Sequence, residues 1–97
     1  MNEFFIRQVA VLRQLISDYR NGMLSLNGLI QRIEGIGGLL DIDAWNEAIS
    51  SIVLSMEQVN AVALDAKRGL TKADKTLIEN SLLELEALVR CFENELT

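Results

Sequence analysis

The chain contains no histidine and no proline, and only one cysteine, one tryptophan and one tyrosine among 97 residues. Each absence removes a class of explanation. Without histidine the commonest general base and the commonest metal ligand are both missing. A single cysteine, Cys91, rules out an internal disulfide framework and a thiolate zinc cage. It sits between Arg90 and Phe92 in a helical pattern and reads as a partly buried, inert thiol. Absent proline leaves nothing to interrupt long helices. Strictly apolar runs extend only a few residues, so no transmembrane helix is expected. The N-terminal stretch Met1-Asn2-Glu3-Phe4-Phe5-Ile6-Arg7 lacks the basic start and small-residue cleavage site of a signal peptide. The expectation is a cytoplasmic protein.

What is present is apolar and acidic. Hydrophobic residues make up 49% and charged residues 24%, well outside the disorder regime. Residues 1–97 suffice for one domain with one core. The formal net charge of −5 disfavours nucleic acid and anionic membranes, and favours encounter with a basic protein.

The apolar periodicity is helical. Phe5, Val9, Leu12, Ile16 and Tyr19 share one face of a first helix over Glu3–Arg20, which Asn21-Gly22 ends with Gly22 left-handed. Ser25 is an N-cap for a short second helix carrying Leu26, Leu29, Ile30 and Ile33, which Gly35-Ile36-Gly37-Gly38 is predicted to end. That cluster lacks the Gly-Lys-Ser/Thr ending and preceding strand of a phosphate loop. A third helix starts at Asp41 or Asp43, either of them a good N-cap, and continues to about Arg68. Its seam is Ile42, Trp45, Ile49, Ile52, Met56, Val59 and Ala63. Val53, Leu54, Val62 and Leu64 widen it, as in a central helix or one bearing a partner surface.

The connection to the fourth helix is explicit. Lys67 and Arg68 place positive charge at a helix C-terminus, Gly69 is suited to the left-handed position, and Leu70 folds back as the apolar contact. Thr71 then caps the next helix, with Asp74 in a capping-box position. A stop and a start so close together imply an antiparallel hairpin. The fourth helix runs from about Lys72 to Glu95, with Ile78, Leu82, Leu85, Val89, Phe92 and Leu96 as its seam, broadened by Leu77 and Leu88. The expected architecture is all-α, an antiparallel four-helix bundle with one short helix.

The candidate site is acidic. Glu79, Glu86 and Glu93 recur every seven residues on one face of the fourth helix. Asp41, Asp43 and Glu47 form a second cluster at the start of the third. Paired carboxylates are able to do acid–base work or hold a hard metal, but a di-metal bundle adds histidines that are missing here. Glu86 and Arg90 are also spaced for an i,i+4 pair. The favoured reading of both clusters is a docking surface for arginines and lysines of a partner, with no cofactor, no metal and no catalytic residue. Trp45 suits either the core or an interface.

One segment carries a family resemblance: Leu12-Arg13-Gln14-Leu15-Ile16-Ser17-Asp18-Tyr19-Arg20-Asn21-Gly22-Met23-Leu24-Ser25-Leu26-Asn27-Gly28-Leu29-Ile30-Gln31-Arg32-Ile33. An apolar helix ends in an aromatic, a glycine turn follows, and a serine opens an amphipathic helix. It resembles the opening of colicin D-type immunity proteins, including those of contact-dependent growth inhibition systems, over less than a quarter of the chain. The resemblance implies a small acidic helical bundle that binds the C-terminal tRNase domain of a cognate toxin and covers its basic active site. It transfers no binding residue. The alternative expectation is a homo-oligomeric helical adaptor or structural protein, suggested by the excess apolar surface around Leu54 and Leu64.

Overall fold

The computed structural model describes residues 3–96, with side chains to residue 95; Met1 and Asn2 of the N-terminal stretch, Thr97, and the side chain of Leu96 in the expected fourth seam lie outside the described residues. Four helices account for 86% of it, with no strand among the described residues. They are α1 (Glu3–Arg20), α2 (Leu26–Leu40), α3 (Asp43–Asp65) and α4 (Lys72–Leu96). None of them is long and apolar enough to cross a membrane.

Residue pairs between neighbouring helices give their directions. Arg13 of α1 meets Glu93 of α4, while Arg20 meets Glu86 and Glu79, so numbering rises along one helix as it falls along the other. Asn60 of α3 donates to Asn27 of α2, and Gly37 lies against Asn46. Trp45 of α3 packs on Phe92 of α4, whereas Arg68 just past α3 pairs with Asp74. Each neighbouring pair therefore runs antiparallel.

The expected seams face inward. Phe5, Val9, Leu12 and Ile16 of α1, the α3 series from Trp45 to Ala63, and Ile78, Leu82, Leu85, Val89 and Phe92 of α4 are all buried. Tyr19, Ile42, Leu70 and Leu88 are partly buried against that core. Trp45 is at its centre, 1% exposed, with Phe5 and Phe92 edge-on at ring-centroid distances of 6.1 and 5.3 Å. This settles Trp45 as core.

The ends of the helices show which local signals hold. After α1, Gly22 takes φ 77°, and the Met23 N–H reaches the Asp18 carbonyl at 2.8 Å, the expected left-handed stop. Ser25 caps α2 by accepting from the Gly28 N–H. Thr71 and Asp74 form the reciprocal capping box, at 2.9 Å (Thr71 N–H to Asp74) and 3.1 Å (Asp74 N–H to Thr71).

Four local expectations are corrected. First, α2 does not stop at Gly35-Ile36-Gly37-Gly38 but passes through it to Leu40, so it is a helix of 15 residues rather than a short one. Ile36 and Gly37 are buried, and this tertiary burial outweighs a helix penalty of about 1 kcal/mol per glycine. Gly37 serves the packing: a methyl there would come within 2.7 Å of the Asn46 amide oxygen, so that amide would have to swing aside. Second, neither Asp41 nor Asp43 caps α3. Asp41 ends α2 in the left-handed conformation (φ 51°), its N–H bonded to the Gly37 carbonyl. Ile42 is the N-cap without a side-chain bond, and Asp43 lies in the first turn, where it complements the dipole.

Third, α3 ends at Asp65 rather than near Arg68. Lys67 (φ 52°), not Gly69, takes the left-handed position, with the Arg68 N–H on the Ala63 carbonyl at 3.1 Å. The early stop releases Arg68 to bond the Gly69 carbonyl and the Asp74 carboxylate at 2.9 and 2.7 Å, tying the end of α3 to the start of α4. Fourth, Leu77 and Cys91 are exposed. Both step off the arc occupied by Ile78 and Phe92.

Gly35 and Gly38, unlike Gly37, have open space where a Cβ would stand. Alanine at either position is expected to stabilise the fold by about 1 kcal/mol and to raise the melting temperature by about 4–8 °C in thermal circular dichroism.

Candidate partner-binding surface

The α4 carboxylates share one face, as their spacing predicts, but that face looks at α1. Arg13 grips Glu93 with two bonds of 2.6 and 3.1 Å. Arg20 bridges the other two, 2.6 Å from Glu79 and 2.8 Å from Glu86. Glu86 is thus bonded to Arg20, while Arg90 adds a weaker attraction. The hydrogen bond from Arg20 holds Glu86 below the usual carboxylate range, and that from Arg13 does the same for Glu93. Glu79, Glu86 and Glu93 are a neutralised interhelical seam, and the expectation of an open acidic stripe there is corrected. Such partly exposed pairs add little each, but together they lace α1 to α4.

The second cluster is free. Asp41, Asp43 and Glu47 are exposed at the α2–α3 corner, and none is ion-paired with a lysine or arginine among the described residues. Asp43 and Glu47 line one shallow hollow with Asn46 and Ser50. Asp41 differs in kind, being committed by its backbone to ending α2.

The structure adds two acids that sequence reading did not single out. Glu34 of α2 and Glu57 of α3 line a groove of about 420 Å³ with Asn46, Ser50, Val53 and Leu54. Interaction with the Glu57 carboxyl acts on Glu34. Hydrogen bonding with Glu57, then burial, then the neighbouring charge push Glu34 above its ordinary value. A helix ending at Gly35 leaves Glu34 in a fraying last turn. Only the continuation of α2 to Leu40, antiparallel to α3, sets Glu34 opposite Glu57.

The two sets of acids oppose one another in pH dependence. Glu86 and Glu93, with Asp74 beside Arg68 and the Thr71 N–H, are lowered on folding. Their contribution is present above the ordinary carboxylate range and is lost as pH falls through it. Glu34 is raised on folding, so it favours the fold in acid and loses that contribution as pH rises through its folded value. Glu34→Gln or Glu57→Gln is therefore expected to stabilise the protein at pH 7 by about 0.5 kcal/mol, small because solvent screens the pair. Urea melts at pH 7 and pH 4 check this: the gain shrinks at the lower pH.

Among the described residues no three Asp, Glu or Cys side chains gather as a metal site. A further groove, about 510 Å³, runs between α3 and α4 past Val62, Leu77, Asn80 and Ser81. Comparison with protein-family models, curated proteins and solved structures finds no match to this chain.

Proposed function

We propose that the chain is an immunity protein that binds and neutralises a basic nuclease domain of a cognate toxin, a tRNase by the resemblance of Leu12–Ile33, within the cytoplasm and without catalysis of its own. One observation carries this reading: the bundle spends Asp74, Glu79, Glu86 and Glu93 of α4 on its own arginines, yet leaves Glu34, Glu57, Asp41, Asp43 and Glu47 without an ion pair among the described residues on the α2–α3 side. Concentrated carboxylate charge on rigid helices steers a basic partner and fixes its register. Occlusion follows when those carboxylates meet the groups with which the nuclease binds its phosphate backbone. The partner-binding assignment therefore rests on Asp41, Asp43 and Glu47 together with Glu34 and Glu57, and no longer on Glu79, Glu86 and Glu93.

A strain lacking the gene tests the reading. Grown in contact with its parent, the deletion strain is expected to lose viability tenfold or more, with rescue by the wild-type gene. Equal survival of deletion strain and parent would overturn the proposal.

A second reading, a homo-oligomeric adaptor, is favoured by Val62 and Leu77, both more than half exposed along the α3–α4 groove. It predicts a dimer by sedimentation that persists at nanomolar concentration.

A further inference from the structure

The outer face of α2 has a composition that the bundle itself does not explain. Gly35 and Gly38 lie one turn apart on it, exposed, in the interior of a helix that glycine weakens. A Cβ at either would meet nothing within 4 Å. Gly37, between them, faces inward and is used in packing against α3. The two outward glycines thus leave a smooth backbone floor where a second helix is able to approach closely.

Both edges of this floor are shaped. On the α1 side, Val11 and Leu39, 46% and 62% exposed, line an open groove of about 420 Å³ together with Gly35 and Ile36. On the α3 side lies the groove of Glu34, Glu57 and the half-exposed Leu54. A glycine floor between an apolar shoulder and an acidic one is the form of a seat for an amphipathic helix, read by a partner as anchors at helical spacing.

Charge selects the occupant. The α3 edge carries two carboxylates, Glu34 and Glu57, lining one groove, and among the described residues neither is ion-paired with a lysine or arginine. A second copy would bring only Arg32, the one basic side chain lining either groove. A foreign helix with its own arginines or lysines matches that edge far better.

We infer that the outer face of α2 seats an α-helix of a basic partner protein, its backbone lying over Gly35 and Gly38 and an arginine or lysine reaching the Glu34 and Glu57 carboxylates. This rests on the docking reading above for the sign of the partner's charge. It adds the place and the kind of element that docks.

The test uses the isotope-labelled full chain and a synthetic amphipathic helical peptide with an alanine–leucine face and arginines along one edge. A twin peptide carries glutamates instead. The arginine peptide is expected to shift the amide resonances of Glu34, Gly35, Gly38 and Leu39 saturably. Gly35→Leu, its fold checked by circular dichroism, weakens binding tenfold or more by filling the floor. Glu34→Gln with Glu57→Gln does so by removing the charge, and the glutamate peptide does not bind. The inference is overturned by an absence of shifts, by shifts confined to the Val62–Leu77 groove, or by affinity unchanged in Gly35→Leu. Sedimentation of the protein alone as a dimer that Gly35→Leu dissociates would assign the face to a second copy and also overturn it. The co-culture experiment does not involve the peptide. Protection without peptide binding removes the helix seat alone, and peptide binding without protection removes the immunity reading alone.

Discussion

Trp45→Ala is expected to destabilise the bundle by about 3–5 kcal/mol, a large fraction of the stability available to a domain of this size. The indole is the largest fully buried side chain, and it joins α3 to Phe5 of α1 and Phe92 of α4 in two edge-to-face contacts. Deleting it opens a cavity where three helices meet, and aromatic pair energy is lost in addition to buried area. The variant should melt far below the wild type by circular dichroism, or fail to fold cooperatively. Trp45→Phe separates the contributions. Among the described residues the buried indole N–H meets no hydrogen-bond partner, a standing cost of about 1–3 kcal/mol. Phenylalanine removes that cost while retaining a ring, so its loss should be at least about 2 kcal/mol smaller than that of alanine. A Trp45→Ala protein melting within a few degrees of the wild type would contradict this account of the core.

The second large effect concerns recognition. Reversing Glu34 and Glu57 together, as Glu34→Arg with Glu57→Arg, is expected to weaken binding to the proposed basic partner by about 2–5 kcal/mol, a hundredfold or more. Asp43→Arg with Glu47→Arg should slow association and flatten its salt dependence, as is usual for exposed charges at a rim. The control is Glu79→Gln with Glu86→Gln. These acids already serve Arg20 within the bundle, so that change should alter affinity by less than about threefold while lowering the melting temperature slightly. Surface plasmon resonance at two salt concentrations measures all three. A large loss from the α4 pair together with none from the α2–α3 pair would return the site to the α4 face.

The helices were legible because their signals are local and redundant. The period of Ile78, Leu82, Leu85, Val89 and Phe92, the Thr71–Asp74 box and the Gly22 stop each need only a few neighbouring residues to be read. What escaped depends on what one helix meets on another. Periodicity places Glu79, Glu86 and Glu93 on one face but is silent about Arg13 and Arg20 lying opposite, in a segment far away along the chain. Glycine propensity argues for a break at Gly35, but burial of Ile36 and close packing at Gly37 override it. That misplaced break hid Glu34 from Glu57, whereas Asp41, Asp43 and Glu47, equally unpaired in the fold, were legible from their clustering at the start of α3. Lys67 in the position suited to Gly69 is a smaller case, in which a side-chain bond from Arg68 to Asp74 accompanies an earlier stop.

The central claim is that the free acids of the α2–α3 side hold a basic protein partner. Its most direct test is affinity capture of the tagged protein from its native strain at moderate salt, followed by quantitative mass spectrometry, in parallel for the wild type and the Glu34→Arg, Glu57→Arg variant. The account predicts a stoichiometric partner with a basic nuclease domain, retained by the wild type and lost from the variant. Recovery of the protein only as its own oligomer, or of a partner held equally by both forms, would contradict it.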